Sequence, residues 1–226
     1  MFPVKDVMDM RRSGGRIAFF DIDGTLIPGT SSAAHIAAKL GTTEAVVAAE
    51  AAYAAGDLTN AEVCRIDAQG WAGHHVEEVV TWLADLPLIG GIAETVDWCR
   101  RHGIAPYLAT LAWRPVGEHL AARFGFAGVG GPELVVRDGV FTGEVARDFD
   151  EFDKRGVALG MAMQQRVLPR QCVAVGDSRS DLPLFAEVGC TIAFNASAEV
   201  KAIATHQVVS DDLRAIIPLL EAWLLR

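Results

Sequence analysis

The sequence predicts an α/β fold in which helices cover both faces of a parallel sheet and an all-helical insert follows the first strand. Short apolar runs alternate with helical patterns along most of the chain, which is typical of parallel sheets. From Ala33 to about Leu86 the alternation stops and only helical patterns occur. The chain has 226 residues, 51% of them hydrophobic, which suits a core domain plus a smaller inserted one.

The predicted strands are six short runs that end in small or polar residues: Arg16–Phe20, Ala105–Ala109, Leu134–Val136, Cys172–Val175, Thr191–Phe194 and Gln207–Val209. Helical patterns separate most of them, at about Gly91–His102, Pro115–Phe124, Phe152–Gln165, Leu182–Val188 and Leu213–Leu225. This order predicts a Rossmann-like parallel sheet. One stretch differs, because Asp138-Gly139 between two β-branched or aromatic runs indicates a hairpin turn.

The helical insert carries its own start and stop signals. Gly41-Thr42-Thr43-Glu44 and Leu58-Thr59-Asn60-Ala61-Glu62 are typical of helix starts, the second with Thr-x-x-Glu capping, and Pro87 and Gly90-Gly91 close the segment. The predicted domains are therefore a core of residues 1–32 and 88–226 and a helical cap of residues 33–87. A cap of this kind closes over a site and excludes water from it.

The composition of the chain limits the kinds of partner and the cellular compartment that we expect. The chain carries 20 basic and 29 acidic residues without any Lys/Arg run, so nucleic acid is not an expected partner. The four cysteines lack C-x-x-C spacing, which favours reduced thiols in a cytoplasmic protein. The sequence predicts no membrane span and, from Met1 to Gly15, no signal peptide. It does not indicate the oligomeric state.

The most informative motif is a pair of carboxylates at the end of the first predicted strand. The apolar run Ile17-Ala18-Phe19-Phe20 leads directly into Asp21-Ile22-Asp23-Gly24-Thr25. Two like charges at the end of a buried strand are costly unless a cation or a proton lies between them. The motif therefore suggests a Mg²⁺ site and an aspartate able to act as a nucleophile. The alternative is a strand followed by an Asx-type turn.

Further polar groups are expected at the same edge of the sheet. Gly176-Asp177 and Asp181 follow the run Cys172–Val175, and ligands of open parallel sheets bind beyond the carboxyl ends of the strands. This second motif suits either a metal site or the N-cap of a helix. Thr110 ends the run Ala105–Ala109, where its hydroxyl and nearby N–H groups could hold a phosphate oxygen, and Lys154 could supply a fixed counter-cation.

Taken in order, these motifs resemble the set that defines the haloacid dehalogenase-like superfamily. The early helical insert and Gly139-Val140-Phe141-Thr142-Gly143 resemble its phosphoserine-phosphatase-like branch, and the resemblance covers about residues 16–217. It implies a phosphatase that uses Mg²⁺ and an aspartyl-phosphate intermediate to hydrolyse a small phosphorylated metabolite. The resemblance implies that Asp21 is the nucleophile and that Asp23 is the general acid and base. The implied metal ligands are Asp21, Asp177 and the backbone carbonyl of Asp23. Thr110 and Lys154 are the implied phosphate ligands, and Asp181 would support the lysine and the metal's water shell.

The chain departs from that branch where the substrate would bind. Thr30 replaces a glutamate that binds the amine of phosphoserine, while Asn60 and Asp67 replace a phenylalanine and an arginine of the cap. Arg65 is a candidate replacement for the arginine, and Trp113 and Ser180 are further candidate substrate contacts. We therefore expect a phosphatase whose substrate is not necessarily phosphoserine.

Two other functions remain open. The same fold could carry a phosphotransferase or mutase, or a metabolite-binding module without activity. The intact set of Asp21, Asp23, Lys154 and Asp177 favours an enzyme over the binding module.

Overall fold

The computed structural model describes residues 15–226 and centres on a parallel sheet. The strands are β1 (Arg16–Phe20), β2 (Ile104–Ala109), β3 (Val129–Gly130), β4 (Leu134–Arg137), β5 (Val140–Val145), β6 (Cys172–Gly176), β7 (Cys190–Phe194) and β8 (His206–Val208). Six of them form the parallel sheet in the order β3-β2-β1-β6-β7-β8, and β4 and β5 form a separate antiparallel hairpin. The α/β fold class predicted from the sequence is confirmed.

Helices occupy the segments between the strands. They are α1 (Ser32–Leu40), α2 (Thr43–Ala55), α3 (Asn60–Trp71), α4 (Val76–Trp82), α5 (Ile92–Arg101), α6 (Arg114–Phe124), α7 (Glu151–Gln164), α8 (Leu182–Phe185), α9 (Ala198–Ile203) and α10 (Ile217–Leu224). Short 3₁₀ turns cover Leu83–Asp85, Pro169–Gln171, Arg179–Asp181 and Leu213–Ile216. The helices α1 to α4 all lie between β1 and β2, as expected for the insert.

Strand β1 is buried on both faces. Its residues alternate between two hydrophobic clusters, with Ala18 and Phe20 in one and Ile17 and Phe19 in the other. Helices α5, α6 and α10 contribute to the first cluster, and α7, α8 and α9 to the second. A strand covered on both sides reads as a continuous apolar run, which explains why β1 was recognisable from the sequence.

The insert packs on the β4–β5 hairpin. The N–H of Gly73 donates to the carbonyl of Phe141, and the N–H of Phe141 donates to the carbonyl of His74, both at 2.9 Å. The ring of Trp71 meets the ring of Phe141 edge-on at 5.0 Å between centroids. These contacts fix the end of α3 on the hairpin.

Local signals of the sequence predict these elements well. The capping box predicted at Thr59 is present, since its side chain accepts from the N–H of Glu62 and the Glu62 carboxylate accepts from the N–H of Thr59. The turn at Asp138-Gly139 joins β4 to β5, as predicted. The strand predicted at Leu134–Val136 is therefore part of the hairpin. One edge of the main sheet is instead β3, which is only two residues long and which the sequence analysis does not predict.

The structure bears on the predictions about the cysteines and about membrane spans, but not on the prediction about a signal peptide. All four cysteines are buried free thiols. Within residues 15–226, no helix is long and apolar enough to cross a bilayer. Residues 1–14, on which the predicted lack of a signal peptide depends, lie outside the described residues.

Candidate active site

Asp21 follows directly on β1, at the carboxyl end of the sheet. Phe20 is paired with Leu108 of β2 on one side and with Val175 of β6 on the other, so the three strands end side by side. The N–H of Asp21 donates to the carbonyl of Val175 at 3.0 Å, which continues the ladder by one residue. The Asp21 side chain is 5% exposed, and it points to the edge where β2 and β6 also end.

Lys154, in the first turn of α7, reaches this edge from the second face of the sheet. Its Nζ lies 3.1 Å from Oδ2 of Asp21 and 2.7 Å from Oδ1 of Asp181, and the residue is 1% exposed. Burial lowers the pKa of Lys154, but the carboxylates of Asp181 and Asp21 outweigh this effect and raise the pKa above its usual value. The lysine is therefore a fixed, permanently charged cation.

Asp181 organises the loop that follows β6. Its Oδ2 accepts hydrogen bonds from the N–H groups of Asp177 at 3.0 Å and Ser178 at 3.1 Å, while its Oδ1 holds Lys154. Gly176 permits this arrangement, because a Cβ there would lie 2.2 Å from Cγ of Asp181. Ser180 adds a contact, since Nζ of Lys154 donates to its hydroxyl at 3.3 Å. The predicted supporting role of Asp181 thus has a clear geometry.

Three carboxylates meet beside this single lysine. One oxygen each of Asp21, Asp177 and Asp181 lies within 4.8 Å of the others. Burial raises the pKa of Asp177 well above its ordinary value, and the nearby charges of Asp21 and Asp181 raise it further. A hard divalent cation stabilises buried carboxylates whose negative charge is not balanced by nearby positive groups. These oxygen ligands therefore fit Mg²⁺.

A tight turn after β1 sets the position of Asp177. Gly24 has a φ of +81°, and a Cβ at this residue would lie 2.1 Å from Oδ2 of Asp177. The hydroxyl of Thr25 donates to Oδ1 of Asp177 at 3.2 Å. The glycine and threonine of the first motif thus serve the carboxylate of the second motif, 152 residues later in the chain.

Asp23 lies within this turn, directly before Gly24, and its side chain is against the start of α1. The N–H of Ser32 donates to its Oδ1 at 2.6 Å and the Ser32 hydroxyl donates to its Oδ2 at 3.1 Å. Burial raises the pKa of Asp23 to about 7, the hydrogen bonds from Ser32 oppose this rise, and the charge of Asp21 adds to it. A carboxyl group with this pKa can both give and take a proton near neutral pH.

Thr110 follows β2 and is fully buried. Its N–H donates to the carbonyl of Gly130 at 2.9 Å, and its Oγ1 accepts from the N–H of Ala112 at 3.0 Å. The hydroxyl hydrogen is not used in that bond and remains available to a ligand. Thr110 lines the same cavity as Asp21, as the sequence predicts.

A cavity of about 570 Å³ lies between this edge and the helical insert. The core contributes the catalytic candidates, and the insert contributes polar side chains of α2 and α3. The lining includes Asp21, Asp23, Thr30, Glu50, Tyr53, Asn60, Asp67, Thr110, Trp113, Asp177, Arg179 and Ser180. Its size suits a small molecule held with most of its surface covered.

Asp67 joins the insert to the core across this cavity. Its Oδ2 accepts from Nε1 of Trp113 at 2.5 Å and its Oδ1 accepts from Nε1 of Trp71 at 3.3 Å. Burial raises the pKa of Asp67 to about 6, the two indole hydrogen bonds lower it, and the charge of Glu50 raises it. Trp113 therefore forms a wall of the cavity as predicted, and it also fixes the carboxylate of the insert.

The family model of the haloacid dehalogenase-like hydrolases matches residues 18–186, more than half of the chain, and this range contains the entire carboxylate cluster. This chain belongs to that family. Its resemblance to the phosphoserine-phosphatase-like branch is confirmed as well, because several curated relatives carry that name.

Two of these relatives are similarly identical to this chain but differ in how much of their own length it covers. The phosphoserine phosphatase of Halobacterium salinarum is 30% identical over 198 residues, which are 85% of this chain and 92% of that protein. Phosphoserine phosphatase SerB2 of Mycobacterium tuberculosis is 29% identical over 206 residues, 91% of this chain, and this chain spans 50% of that longer protein. By name both are phosphoric monoester hydrolases, the enzyme class that the sequence predicts here.

Solved structures share the fold at low sequence identity. A substrate-bound phosphoserine phosphatase complex superposes with a TM-score of 0.80 at 22% identity, covering 91% of this chain and 98% of that chain. A haloacid dehalogenase-like family hydrolase from Salmonella enterica superposes with a TM-score of 0.84 at 18% identity, covering 97% and 81% of the two chains.

One predicted substrate contact is wrong. Arg65 does not line the cavity; its guanidinium lies on the surface, 2.5 Å and 2.6 Å from the two carboxylate oxygens of Asp148. The reason is helical geometry, because residues two positions apart point to different sides of a helix. Asp67 faces the cavity on α3, so Arg65 faces away from it.

The cavity residues that the sequence analysis does not single out include Glu50, Tyr53 and Arg179. Glu50 and Tyr53 are three residues apart on α2 and share the face that lines the cavity. Arg179 lies between Asp177 and Asp181 in a motif that was otherwise fully assigned. The position of Arg179 inside a catalytic motif was a signal that could have found it.

Proposed function

We propose that this protein is a Mg²⁺-dependent phosphatase that hydrolyses a small phosphomonoester through an aspartyl-phosphate. The observation that carries the proposal is the placement of Asp21, which is buried at a strand end, 3.1 Å from the charged Lys154 and next to Asp177. A nucleophilic carboxylate, a fixed cation and a metal-binding carboxylate together provide the positioning and charge neutralisation that phosphoryl transfer requires.

The first half of the reaction forms the covalent intermediate. A carboxylate oxygen of Asp21 attacks phosphorus, and the bond from phosphorus to the alcohol oxygen breaks. Asp23, protonated because burial holds its pKa near 7, gives its proton to the leaving oxygen. Lys154 and the hydroxyl and neighbouring N–H groups of Thr110 bind the phosphoryl oxygens; the lysine neutralises their charge, and the other groups donate hydrogen bonds to them.

The second half releases phosphate. Asp23, now ionised, takes a proton from a water molecule as the water oxygen attacks phosphorus, and the bond from phosphorus to Asp21 breaks. Inorganic phosphate leaves, and both carboxyl groups return to their starting states. Atoms and protons balance over the two steps.

The metal would be held by the side chains of Asp21 and Asp177 and the backbone carbonyl of Asp23. When bound, Mg²⁺ supplies positive charge that lets an anionic nucleophile approach an anionic phosphoryl group. Asp181 supports this arrangement through Lys154 and the loop after β6.

The helices of residues 33–87 would form a cap over the reaction. Their polar side chains line the cavity opposite Asp21, and Asp67 attaches them to Trp113 of the core. A closed cap keeps bulk water from the intermediate while the substrate is bound.

Phosphate release from a panel of phosphomonoesters tests the proposal. We expect activity that depends on Mg²⁺, stops on chelation and returns when Mg²⁺ is restored. Asp21→Asn should abolish turnover while the thermal unfolding curve stays close to that of the wild type. Asp97→Asn is the matched control, because Asp97 pairs with Arg101 on the exposed side of α5.

Substantial turnover by a folded Asp21→Asn protein, or full activity after exhaustive chelation, would overturn the mechanism. Adding an acceptor alcohol separates hydrolysis from phosphotransfer. Phosphorylation of that alcohol in preference to water would identify a phosphotransferase instead.

A further inference from the structure

Arg179 is a cation in the cavity that the proposed reaction does not use. It lies in the 3₁₀ turn between Asp177 and Asp181 and is half-buried. Among the described residues that line the cavity, it is the only lysine or arginine. The other charged residues of the lining are all acidic: Asp21, Asp23, Glu50, Asp67, Asp177 and Glu199. Lys154, whose proposed role is at the phosphoryl group, is 3.1 Å from Asp21 and is not among the residues that line the cavity.

The guanidinium of Arg179 is held in place by an aromatic ring. Its central carbon lies 4.0 Å from the centroid of the Tyr53 ring, which belongs to α2 of the insert. Stacking of this kind orients a guanidinium and leaves its in-plane N–H donors free for an anion. The side chain is thus positioned mainly by its contact with the ring face.

The pair also has unsatisfied polar atoms. Nε of Arg179 and the hydroxyl of Tyr53 are both shielded from solvent, and neither makes a hydrogen bond of good geometry within residues 15–226. Burial raises the pKa of the Tyr53 hydroxyl, but the guanidinium nevertheless lies close enough to this hydroxyl to oppose that larger effect and lower the pKa. In the same part of the chain, no carboxylate lies within 4.0 Å of the Arg179 nitrogens, whereas Arg65 outside the cavity is paired with Asp148. Buried polar atoms normally have partners, and a guanidinium in a cavity calls for an anionic one.

We propose that Arg179, held against Tyr53, binds a second anionic group on the alcohol part of the substrate. The substrate is then a phosphomonoester that also carries a carboxylate or a second phosphate. This inference rests on the proposed phosphatase function. It assigns recognition of the leaving group to the loop that also carries Asp177, rather than to α3 of the insert, where Asp67 is already bound by two indoles.

The test compares substrates that differ in one charged group. The first pair is 2-phosphoglycolate and ethyl phosphate, which differ by a carboxylate in place of a methyl group. The second pair is propane-1,3-diol bisphosphate and its monophosphate, which differ by a second phosphate. We expect the wild type to prefer the doubly anionic member of at least one pair, and the pair that shows the preference identifies the anion.

Arg179→Met removes the charge and keeps a long side chain against Tyr53. It should lower kcat/KM for the preferred ester, the one with a second anionic group, by about 10- to 100-fold, the usual weight of a hydrogen-bonded charge pair. It should change kcat/KM for the ester without that group by less than about 3-fold. Arg179→Lys should restore part of the preference. Arg123→Met is the control, because Arg123 also lies over an aromatic ring, that of Phe124, on α6.

Three kinetic outcomes would overturn the proposal: no preference by the wild type in either pair, an equal loss for both members of a pair in Arg179→Met, or no loss at all. An equal loss would mean that Arg179 serves the phosphoryl group or the position of the insert. If the wild type hydrolyses none of the esters, calorimetry of the binding of the same four esters to the wild type and to Arg179→Met tests the recognition site. Arg179-dependent preference in binding would support the recognition site and reject the phosphatase, and binding without that preference would reject the site.

Discussion

Ser32, the first residue of α1, holds both carboxylate oxygens of Asp23 with its own N–H and hydroxyl, at 2.6 Å and 3.1 Å. The proposed acid is therefore fixed by the first residue of α1, the helix that leads from the core into the insert. Since burial raises the pKa of Asp23 to about 7 and the Ser32 bonds oppose that rise, the contact keeps the group near the midpoint of its titration at neutral pH.

Replacing Asp23 should slow the reaction without emptying the metal site. We expect Asp23→Asn to lower kcat by about 10²- to 10⁴-fold for an ester with a poor leaving group, the usual size of general acid–base catalysis. Mg²⁺ binding should persist, because the metal is expected to contact the backbone carbonyl of this residue. Steady-state kinetics and a Mg²⁺ titration measure the two effects. A rate close to the wild type with a poor leaving group would show that Asp23 is not the acid.

Gly24→Ala should damage the metal site specifically. The new Cβ would lie 2.1 Å from Oδ2 of Asp177, so that carboxylate must move. We expect the Mg²⁺ concentration needed for half-maximal activity to rise at least about 10-fold, as is typical when a residue that orients a metal ligand is lost. Gly41→Ala is the matched control, because Gly41 has a similar φ of +73° and open space around its Cβ. Equal Mg²⁺ dependence in the two variants would contradict the prediction.

Asp67 should make the stability of the protein depend on pH in a direction opposite to that of a salt-bridged aspartate. Its pKa is raised from 3.8 to about 6 on folding, so the folded state holds a proton that the unfolded state has lost between these values. The stabilisation is complete below about pH 4 and is lost as the pH rises through 6, and the full difference corresponds to about 3 kcal/mol.

Urea unfolding of the wild type and Asp67→Asn between pH 4 and 8 isolates this effect, because other titrating groups cancel in the difference. The free energy of unfolding of the wild type, relative to the variant, should fall as the pH rises. A difference that is constant over this range would mean that Asp67 has the same pKa in both states.

Phosphoserine should be a poorer substrate than the same ester without its ammonium group, 3-phosphonooxypropanoate. Thr30 lines the cavity where the branch has its amine-binding glutamate, and a threonine offers no charge to an ammonium group. A comparison of kcat/KM for the two esters tests this directly. If phosphoserine were the better substrate and Glu50→Gln removed its advantage, Glu50 would be the amine partner and the prediction would be wrong.

Sequence analysis predicted the parts of the site that depend on strand ends. Asp21, Thr110 and Asp177 each follow a buried apolar run, and parallel neighbours bring such residues together. Capping at Thr59 and the turn at Asp138 were predictable because they depend on adjacent residues alone.

What the sequence could not supply is the side of a helix that faces the cavity. Arg65 and Asp67 are two residues apart on α3, yet one pairs with Asp148 on the surface and the other is buried against two indoles. Excluding Arg65 from the cavity requires knowing which face of α3 packs toward the core, where Asp67 meets Trp113. Strand β3 was missed for a different reason, since two residues among glycines show no alternation.

The pairing of β1 with β6 also bears on how this chain becomes active during its synthesis. Asp21 is made early, whereas Lys154 and Asp177, which compensate its charge or share its metal, are made much later. Contacts between distant segments of this kind form slowly, because a long loop must close first. A nascent chain that ends before α7 contains the proposed nucleophile, Asp21, but neither the cation Lys154 nor the proposed metal ligand Asp177. The proposed activity therefore requires that the C-terminal part of the sheet has docked on β1.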